Sequence, residues 1–318
     1  MSAAALSPEL ISVDWGTTSF RAYLVATAGA VLDRRESGAG ILAVKDGDFA
    51  GTLRAAVADW LAAAPGLAIV MSGMIGSRQG WVEAPYVATP ADAAAVGVAS
   101  VWVEAASLPP IRLVPGLVTR AADGRPDVIR GEETQVIGAM HRLRVRDGVF
   151  VLPGTHAKWL TVAGGALTGF ETYMTGEVFA ALKDHTILGR TMAPSPAAAI
   201  GDGSGAGFAR GVMLGAGSGH PGHLLNRIFS ARTLGLMSEL ADNEAADYLS
   251  GLLIGAELAA ATSGGTRRFT IIASQALAAR YQMAASLLGL ACDVAPADCV
   301  VAGHFALLGH WRQLGDTR

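Results

Sequence analysis

The chain has 318 residues, of which 51% are hydrophobic and 16% charged, so it carries material for two domains or one large one and is not a disordered polypeptide. A formal net charge of −3, from 24 basic and 27 acidic residues with no basic block, argues against a nucleic-acid footprint. Two cysteines, Cys292 and Cys299, are too few for a disulfide framework and point to a reducing compartment. Residues 1–8 lack the basic and apolar stretches of a signal peptide, and no run reaches the roughly 18 apolar residues of a membrane helix. The expectation is a soluble cytoplasmic protein.

In chain order, 11–13 reads as a buried strand, and 21–25 and 30–35 as two more around a turn at Gly29. Residues 48–64 read as a helix, because Phe49, Leu53, Val57, Trp60 and Leu61 recur near the helical period. A short strand at 67–71 runs into Ser72-Gly73. Residues 97–118 are β-rich, with strands at 100–103 and 111–114, and the turn-rich 119–126 looks like the approach to a domain boundary. A helix is predicted over 132–143. Strands follow at 149–152, 157–162 and 166–172, then a helix opening near Thr175, a Gly/Pro-rich loop at 193–207, and helices at 208–216, 222–239 and 243–262. A strand at 269–273, a helix at 275–288 and a last helix at 301–314 complete the chain. Strands first and helices later in each half is an α/β pattern.

One segment comes back. Ile11-Ser-Val-Asp14-Trp15-Gly16-Thr17-Thr18 has the layout of Val149-Phe-Val-Leu152-Pro153-Gly154-Thr155-His156: an apolar strand, a Gly-Thr turn, then a second strand. Gly154 − Gly16 and Thr155 − Thr17 both give 138, and the same offset aligns Ser37-Gly38 with Thr175-Gly176. Glycine lets backbone come close to a ligand, and the amides and hydroxyls after it can donate to phosphate oxygens. Two such hairpins suggest two similar domains gripping one phosphate chain. Asp14 has no counterpart in the second copy, where Leu152 stands, and a single carboxylate suits a hydrated Mg²⁺. A lone Asp-x-Gly-Thr would be read as a capped tight turn; the repeat reverses that preference.

The segments Val13–Arg21, Met71–Trp81, Arg130–Gln135, Leu152–Trp159, Met174–Glu177 and Tyr248–Gly255 follow one another along nearly the whole chain. Together they resemble the actin/hexokinase/heat-shock-chaperone ATPase superfamily of sugar kinases and, within it, the 2-dehydro-3-deoxygalactonokinase family. The resemblance implies an α/β fold of two duplicated ribonuclease-H-like (actin-like ATPase) domains with a nucleotide cleft between them. It implies residues 1–130 as a mainly sugar-acid-binding domain and 131–318 as a mainly ATP-binding one, the last helix being a candidate to cross back. It also implies ATP and Mg²⁺ as cofactors and phosphorylation of the terminal hydroxyl of a six-carbon 2-keto-3-deoxy sugar acid in galactose or galactonate catabolism, the alternatives being a kinase of another sugar or sugar acid of the same superfamily and a non-metabolic actin-like ATPase switch. The small-molecule acid is then the expected partner, with neither nucleic acid nor membrane and with a homodimer left open.

Phosphoryl transfer asks for positioning, charge neutralisation and a base for the attacking hydroxyl. Related kinases place an acid after a glycine at a helix start, which points to Gly131-Glu132-Glu133, where the alternative is dipole complementation on a solvated face. Glu132 and Glu133 stay undecided as the base, and Asp14 is the rival, although a role towards Mg²⁺ through water suits it better. Gly16, Thr17, Thr18, Arg21, Gly154, Thr155, Lys158, Gly176 and Ser274 are the expected ATP and phosphate contacts, Ser274 from the turn 272–275 that would meet adenosine. The acid substrate calls for a guanidinium, and Arg78 is the candidate, with Ser72, Gly73, Trp81 and Tyr86 lining the same pocket. Against these stand a solvated loop arginine and ordinary aromatic packing. His220 and His223 lack a companion ligand cluster and are read as loop residues; His141, His185, His304 and His310 are read as ordinary helix residues.

Overall fold

The computed structural model describes residues 7–27, 29–106, 108–192, 205–217 and 223–316, and His220 and most of the loop at 193–207 lie outside them. The chain divides into two compact units: Met1–Asp147 with Val162–Gly169 and Asp298–Arg318, and Gly148–Thr161 with Phe170–Ala297.

The first unit opens with β1 (Pro8–Trp15), β2 (Phe20–Ala26) and β3 (Val31–Ser37). Then come α1 (Phe49–Ala63), β4 (Ala68–Ser72), β5 (Tyr86–Ala88), α2 (Ala93–Val98), β6 (Val101–Val103), β7 (Ile111–Leu113), β8 (Gly116–Arg120), β9 (Pro126–Ile129) and α3 (Glu132–Leu143). The main sheet has the order β3-β2-β1-β4-β7-β6, with β1–β2 and β2–β3 antiparallel and β1–β4 and β4–β7 parallel. As a central strand β1 is buried from Leu10 to Trp15, whereas β3 at the edge is mostly exposed and charged. The Asp48 side chain accepts from the Gly51 N–H and caps α1, whose Phe49, Leu53, Val57 and Trp60 enter the core.

In the second unit and the hairpin that leaves it are β10 (Gly148–Leu152), β11 (Ala157–Ala163), β12 (Ala166–Tyr173), α4 (Thr175–His185), α5 (Ala206–Ala216), α6 (His223–Ile228), α7 (Ser230–Leu236) and α8 (Ala245–Ala261). β13 (Arg268–Ile271), α9 (Gln275–Leu287) and β14 (Ala291–Val294) follow. Its sheet runs β12-β11-β10-β13-β14, so both sheets order their first four strands third, second, first, fourth. The Tyr248–Gly255 motif lies in α8 as a packing surface. A Cβ on Gly251 or Gly255 would strike the carbonyls of Phe208 or Val212 on α5, so the two helices cross at backbone contact distance.

α10 (Cys299–Gln313) groups with the first unit. It crosses α3 where Gly303 meets the Thr134 carbonyl and Gly138 meets the Cys299 carbonyl. That crossing holds α3 in the first unit, so the compact unit extends to Asp147 where the sequence reading divided the chain after residue 130.

Other differences are local. Residues 93–98 form α2, capped by Asp92, where a β-rich stretch was expected to begin at 97. The turn-rich 119–126 is the loop of the β8–β9 hairpin, not a boundary. The helix expected over 222–239 is two, α6 and α7, broken where the Ser230 hydroxyl donates to the Arg227 carbonyl. The short strands β5 and β14 were not anticipated. No helix among the described residues is long and apolar enough to cross a membrane.

Candidate active site

In the first unit, the β1–β2 turn closes with the Gly16 N–H donating to the Ser19 carbonyl (2.9 Å), leaving Thr17 and Thr18 exposed at its tip. The segment 39–42 braces it: Trp15 Nε1 donates to the Ala39 carbonyl (2.8 Å) and the Ile41 N–H to the Gly16 carbonyl (3.0 Å). Asp14 sits at the end of β1, 8% exposed. It is registered against Arg21 on β2 and Ser72 on β4, with the Arg21 guanidinium 3.3 Å from its carboxylate. Burial raises the Asp14 pKa and Arg21 pulls it back.

Two glycines with φ of +97° (Gly73) and +107° (Gly131) bring separate segments to this strand end. A Cβ on Gly131 would lie 3.1 Å from the Gly73 Cα, and one on Gly73 would lie 2.8 Å from the Trp15 carbonyl and 3.4 Å from Asp14 Oδ1. Ser72-Gly73, Asp14 and the start of α3 therefore share one locality. There the two adjacent acids part company. Glu133 is fully buried; its carboxylate accepts from the Gly131 N–H (2.8 and 2.9 Å) and the Thr134 hydroxyl (3.0 Å). Burial, with Glu132 beside it, lifts its pKa to about 7. Glu132 is half-buried and accepts from the Arg130 N–H at 2.9 Å.

In the second unit, Gly154, Gly176 and Ser274 line one cavity of about 290 Å³ together with Thr175, Phe179, Ser250, Arg280 and Tyr281. A Cβ on Gly176 would strike the Gly154 carbonyl, and the Glu177 N–H donates to the Thr155 carbonyl at 2.9 Å. The α4 start thus packs on this hairpin as segment 39–42 packs on the first. The counterpart of Gly176 is consequently Gly40, whose Cβ would strike Thr17 and Thr18, and not Gly38, whose Cβ would meet none of the described residues. The offset of 138 holds through the turns and slips after them.

The model of the family described as 2-keto-3-deoxy-galactonokinase (DGOK) matches residues 14–307, from the carboxylate at the end of β1 into the last helix. The chain belongs to this family.

Relatives of this kinase family agree along the chain. The protein named "Probable 2-dehydro-3-deoxygalactonokinase DgoK1" of Rhizobium meliloti (strain 1021) is 37% identical over 294 residues, 90% of this chain and 92% of that one. The 2-dehydro-3-deoxygalactonokinase of Escherichia coli (strain K12) is 34% identical over 297 residues, covering 91% and 92%. A crystal structure from Sinorhizobium meliloti, of a protein assigned as a 2-dehydro-3-deoxygalactonokinase, superposes with a TM-score of 0.83 at 35% identity, covering 96% of this chain and 99% of that one.

Not every expected residue of this family member faces a shared site. Lys158 is buried, and its ammonium donates to Thr172 Oγ1 on the next strand (2.7 Å), so it is held within the sheet. Trp81 stacks on Phe49 with centroids 6.4 Å apart and packs against the core, as the alternative reading had it. Arg78 is 87% exposed and 3.6 Å from Glu83. Tyr86 is exposed, but its ring carries the Arg130 guanidinium at 4.3 Å. His156 at the second hairpin pairs with Glu177.

One residue, Glu257, went unread in the sequence, and another, His304, was read only as an ordinary helix residue. Glu257 on α8 is 3% exposed and accepts from Trp159 Nε1 (2.7 Å), the Tyr281 hydroxyl (2.7 Å) and the Thr175 hydroxyl; the last two residues line the cavity. Its place two residues beyond the Tyr248–Gly255 motif was the available signal. His304 is fully buried with its Nδ1 2.7 Å from Ser12 Oγ, and burial depresses its pKa to about 3.

Proposed function

We propose that this chain transfers the γ-phosphoryl group of ATP to the 6-hydroxyl of 2-dehydro-3-deoxy-D-galactonate, in the cytoplasm and in galactose or galactonate catabolism. The observation that carries the reading is the meeting of Gly73 and Gly131, which brings the acids of α3 to the strand end that holds Asp14. The common strand order of the two sheets supports a duplicated actin-like pair of domains. The first would bind mainly the acid and the second mainly the nucleotide.

Gly16, Thr17 and Thr18 offer amides and hydroxyls to phosphate oxygens, as does Thr155 at the second hairpin. Gly154, Gly176 and Ser274 line a cavity of about 290 Å³ that offers room for a nucleotide. Asp14 is one carboxylate at a strand end, a donor that suits a Mg²⁺ held through water. The metal would neutralise charge on the transferring group. Arg21 orients the Asp14 carboxylate. Ser72 and Gly73 adjoin it on the acceptor side.

Glu132 is the better base. A base must touch the acceptor hydroxyl, and Glu132 retains surface, while Glu133 is spent on Gly131 and Thr134. Glu133 then fixes the turn that presents Glu132. A coupled ADP-release assay with Mg-ATP tests the whole reading, offering 2-keto-3-deoxygalactonate, its gluconate epimer, galactose and no acceptor. Strong preference for the galactonate acid is expected; equal ADP release in every tube would sink the kinase reading. In the same assay Glu132→Gln should abolish turnover, and a Glu132→Gln enzyme of full activity would return the role to Glu133 or Asp14.

A further inference from the structure

Arg130 immediately precedes the Gly131-Glu132-Glu133 turn, and its guanidinium has donors to spare. The residue is 8% exposed. Nη2 donates to the Ala84 carbonyl at 2.9 Å, and the plane of the group lies over the Tyr86 ring at 4.3 Å. Nε and Nη1 are buried and meet no acceptor among the described residues. A guanidinium keeps its charge in such a place, where a lysine could shed its proton. Burying that charge is costly unless an anion pairs with it.

The surroundings repeat the pattern. A Cβ on Gly76 would stand 3.1 Å from Nη1, so the guanidinium lies against the turn that follows Ser72-Gly73. The hydroxyls of Ser72 and Ser77, at the two ends of that turn, are also buried without a partner among the described residues. Three side chains with unused donors around one turn call for a ligand rich in acceptor oxygens. Arg130 is tied to the proposed base as well, since its own N–H donates to Glu132 Oε2 at 2.9 Å. Arg78 offers none of this: it is 87% exposed and already near Glu83, and an exposed pair of that kind is weakened by solvent.

We infer that Arg130 binds the carboxylate of the acceptor acid. The inference rests on the sugar-acid kinase reading and deepens it. Tyr86 stacks on the face of the guanidinium, which leaves for a carboxylate the edge where the second Nη2 hydrogen stands beside Nε or Nη1, since stacking uses the face and the fork uses the edge. Tyr86 is 43% exposed on the short strand β5, so its ring stands on the solvent side of an otherwise enclosed cation.

The test is steady-state kinetics of full-length wild type, Arg130→Lys, Arg130→Ala and Arg78→Ala, with the acid and with its neutral C1 amide as acceptors. Wild type should prefer the acid to the amide. Arg130→Lys, which keeps the charge and loses the fork, should raise KM for the acid at least about tenfold while KM for ATP stays within about twofold. The preference for acid over amide should collapse in both Arg130 variants, and the loss in Arg78→Ala should be much the smaller. A melting curve of each variant separates misfolding from lost recognition, and the lysine variant carries the test if the alanine variant does not fold. Transfer by wild type with the preference intact in Arg130→Lys overturns the assignment of Arg130 alone. Failure of wild type to phosphorylate any anionic acceptor overturns the kinase reading and this inference with it.

Discussion

Gly131 lies against Gly73, so close that a Cβ on the first would stand 3.1 Å from the Cα of the second. One glycine ends a β-strand and the other begins a helix, and both hold positive φ. Replacing either with alanine sets a side chain into that contact and imposes a sparsely allowed backbone conformation costing about 1–3 kcal/mol. Gly73→Ala and Gly131→Ala should each lose about a hundredfold or more in kcat/KM, because a displacement of about 1 Å costs that much in a positioned reaction. Kinetics and thermal melts together check this; variants with near wild-type turnover would remove the contact from the mechanism.

Glu133 and His304 are both fully buried, and they make opposite demands on pH. The Glu133 pKa rises from its ordinary 4.5 to about 7, so the folded state holds the proton more tightly and stability falls as pH rises through that window. The His304 pKa falls from 6.5 to about 3, so its contribution is complete above pH 6.5 and is lost as pH falls towards 3. Glu133→Gln should flatten the decline of stability between pH 5 and 7 in denaturant titrations, and it cannot alter the acid limb owed to His304. An unchanged slope on the neutral side would refute the buried-carboxylate account.

Glu257 gathers three donors from three elements, and Trp159 can only donate. Glu257→Gln sets an amide group against them and leaves at least one donor unmatched, a cost of about 1–3 kcal/mol. Since Thr175 and Tyr281 line the cavity, KM for ATP should rise several-fold while KM for the acid acceptor stays nearly constant. A uniform loss of folded protein with unchanged KM for ATP would mark the network as purely structural.

Asp14→Asn keeps the size of the side chain and removes its charge. Under the Mg²⁺ reading, kcat falls by at least about tenfold and the Mg²⁺ concentration for half-maximal rate rises. Titrating Mg²⁺ at constant Mg-ATP shows it, and an unchanged Mg²⁺ requirement would assign Asp14 to Arg21 alone.

The sequence alone determined the elements whose cause is local. The apolar period of α1, the buried run of β1, the Gly-Thr turns and the order of the motifs are all written in neighbouring residues, and each was legible. The adjacency of Gly131 to Gly73 was not, because nothing local to either glycine says that residues 58 positions apart touch. For the same reason the sequence left Glu132 and Glu133 equal, and only the tertiary structure buries Glu133 on the Gly131 N–H and the Thr134 hydroxyl while Glu132 stays half-buried. Arg78 read as a ligand because it stands in a glycine-rich loop, and Arg130 went unread because the acceptors it lacks can be counted only in three dimensions. Spacing along the chain fixes which chemistry is available; burial, which depends on contacts distant in sequence, decided which of those groups stay exposed and which are enclosed in the fold.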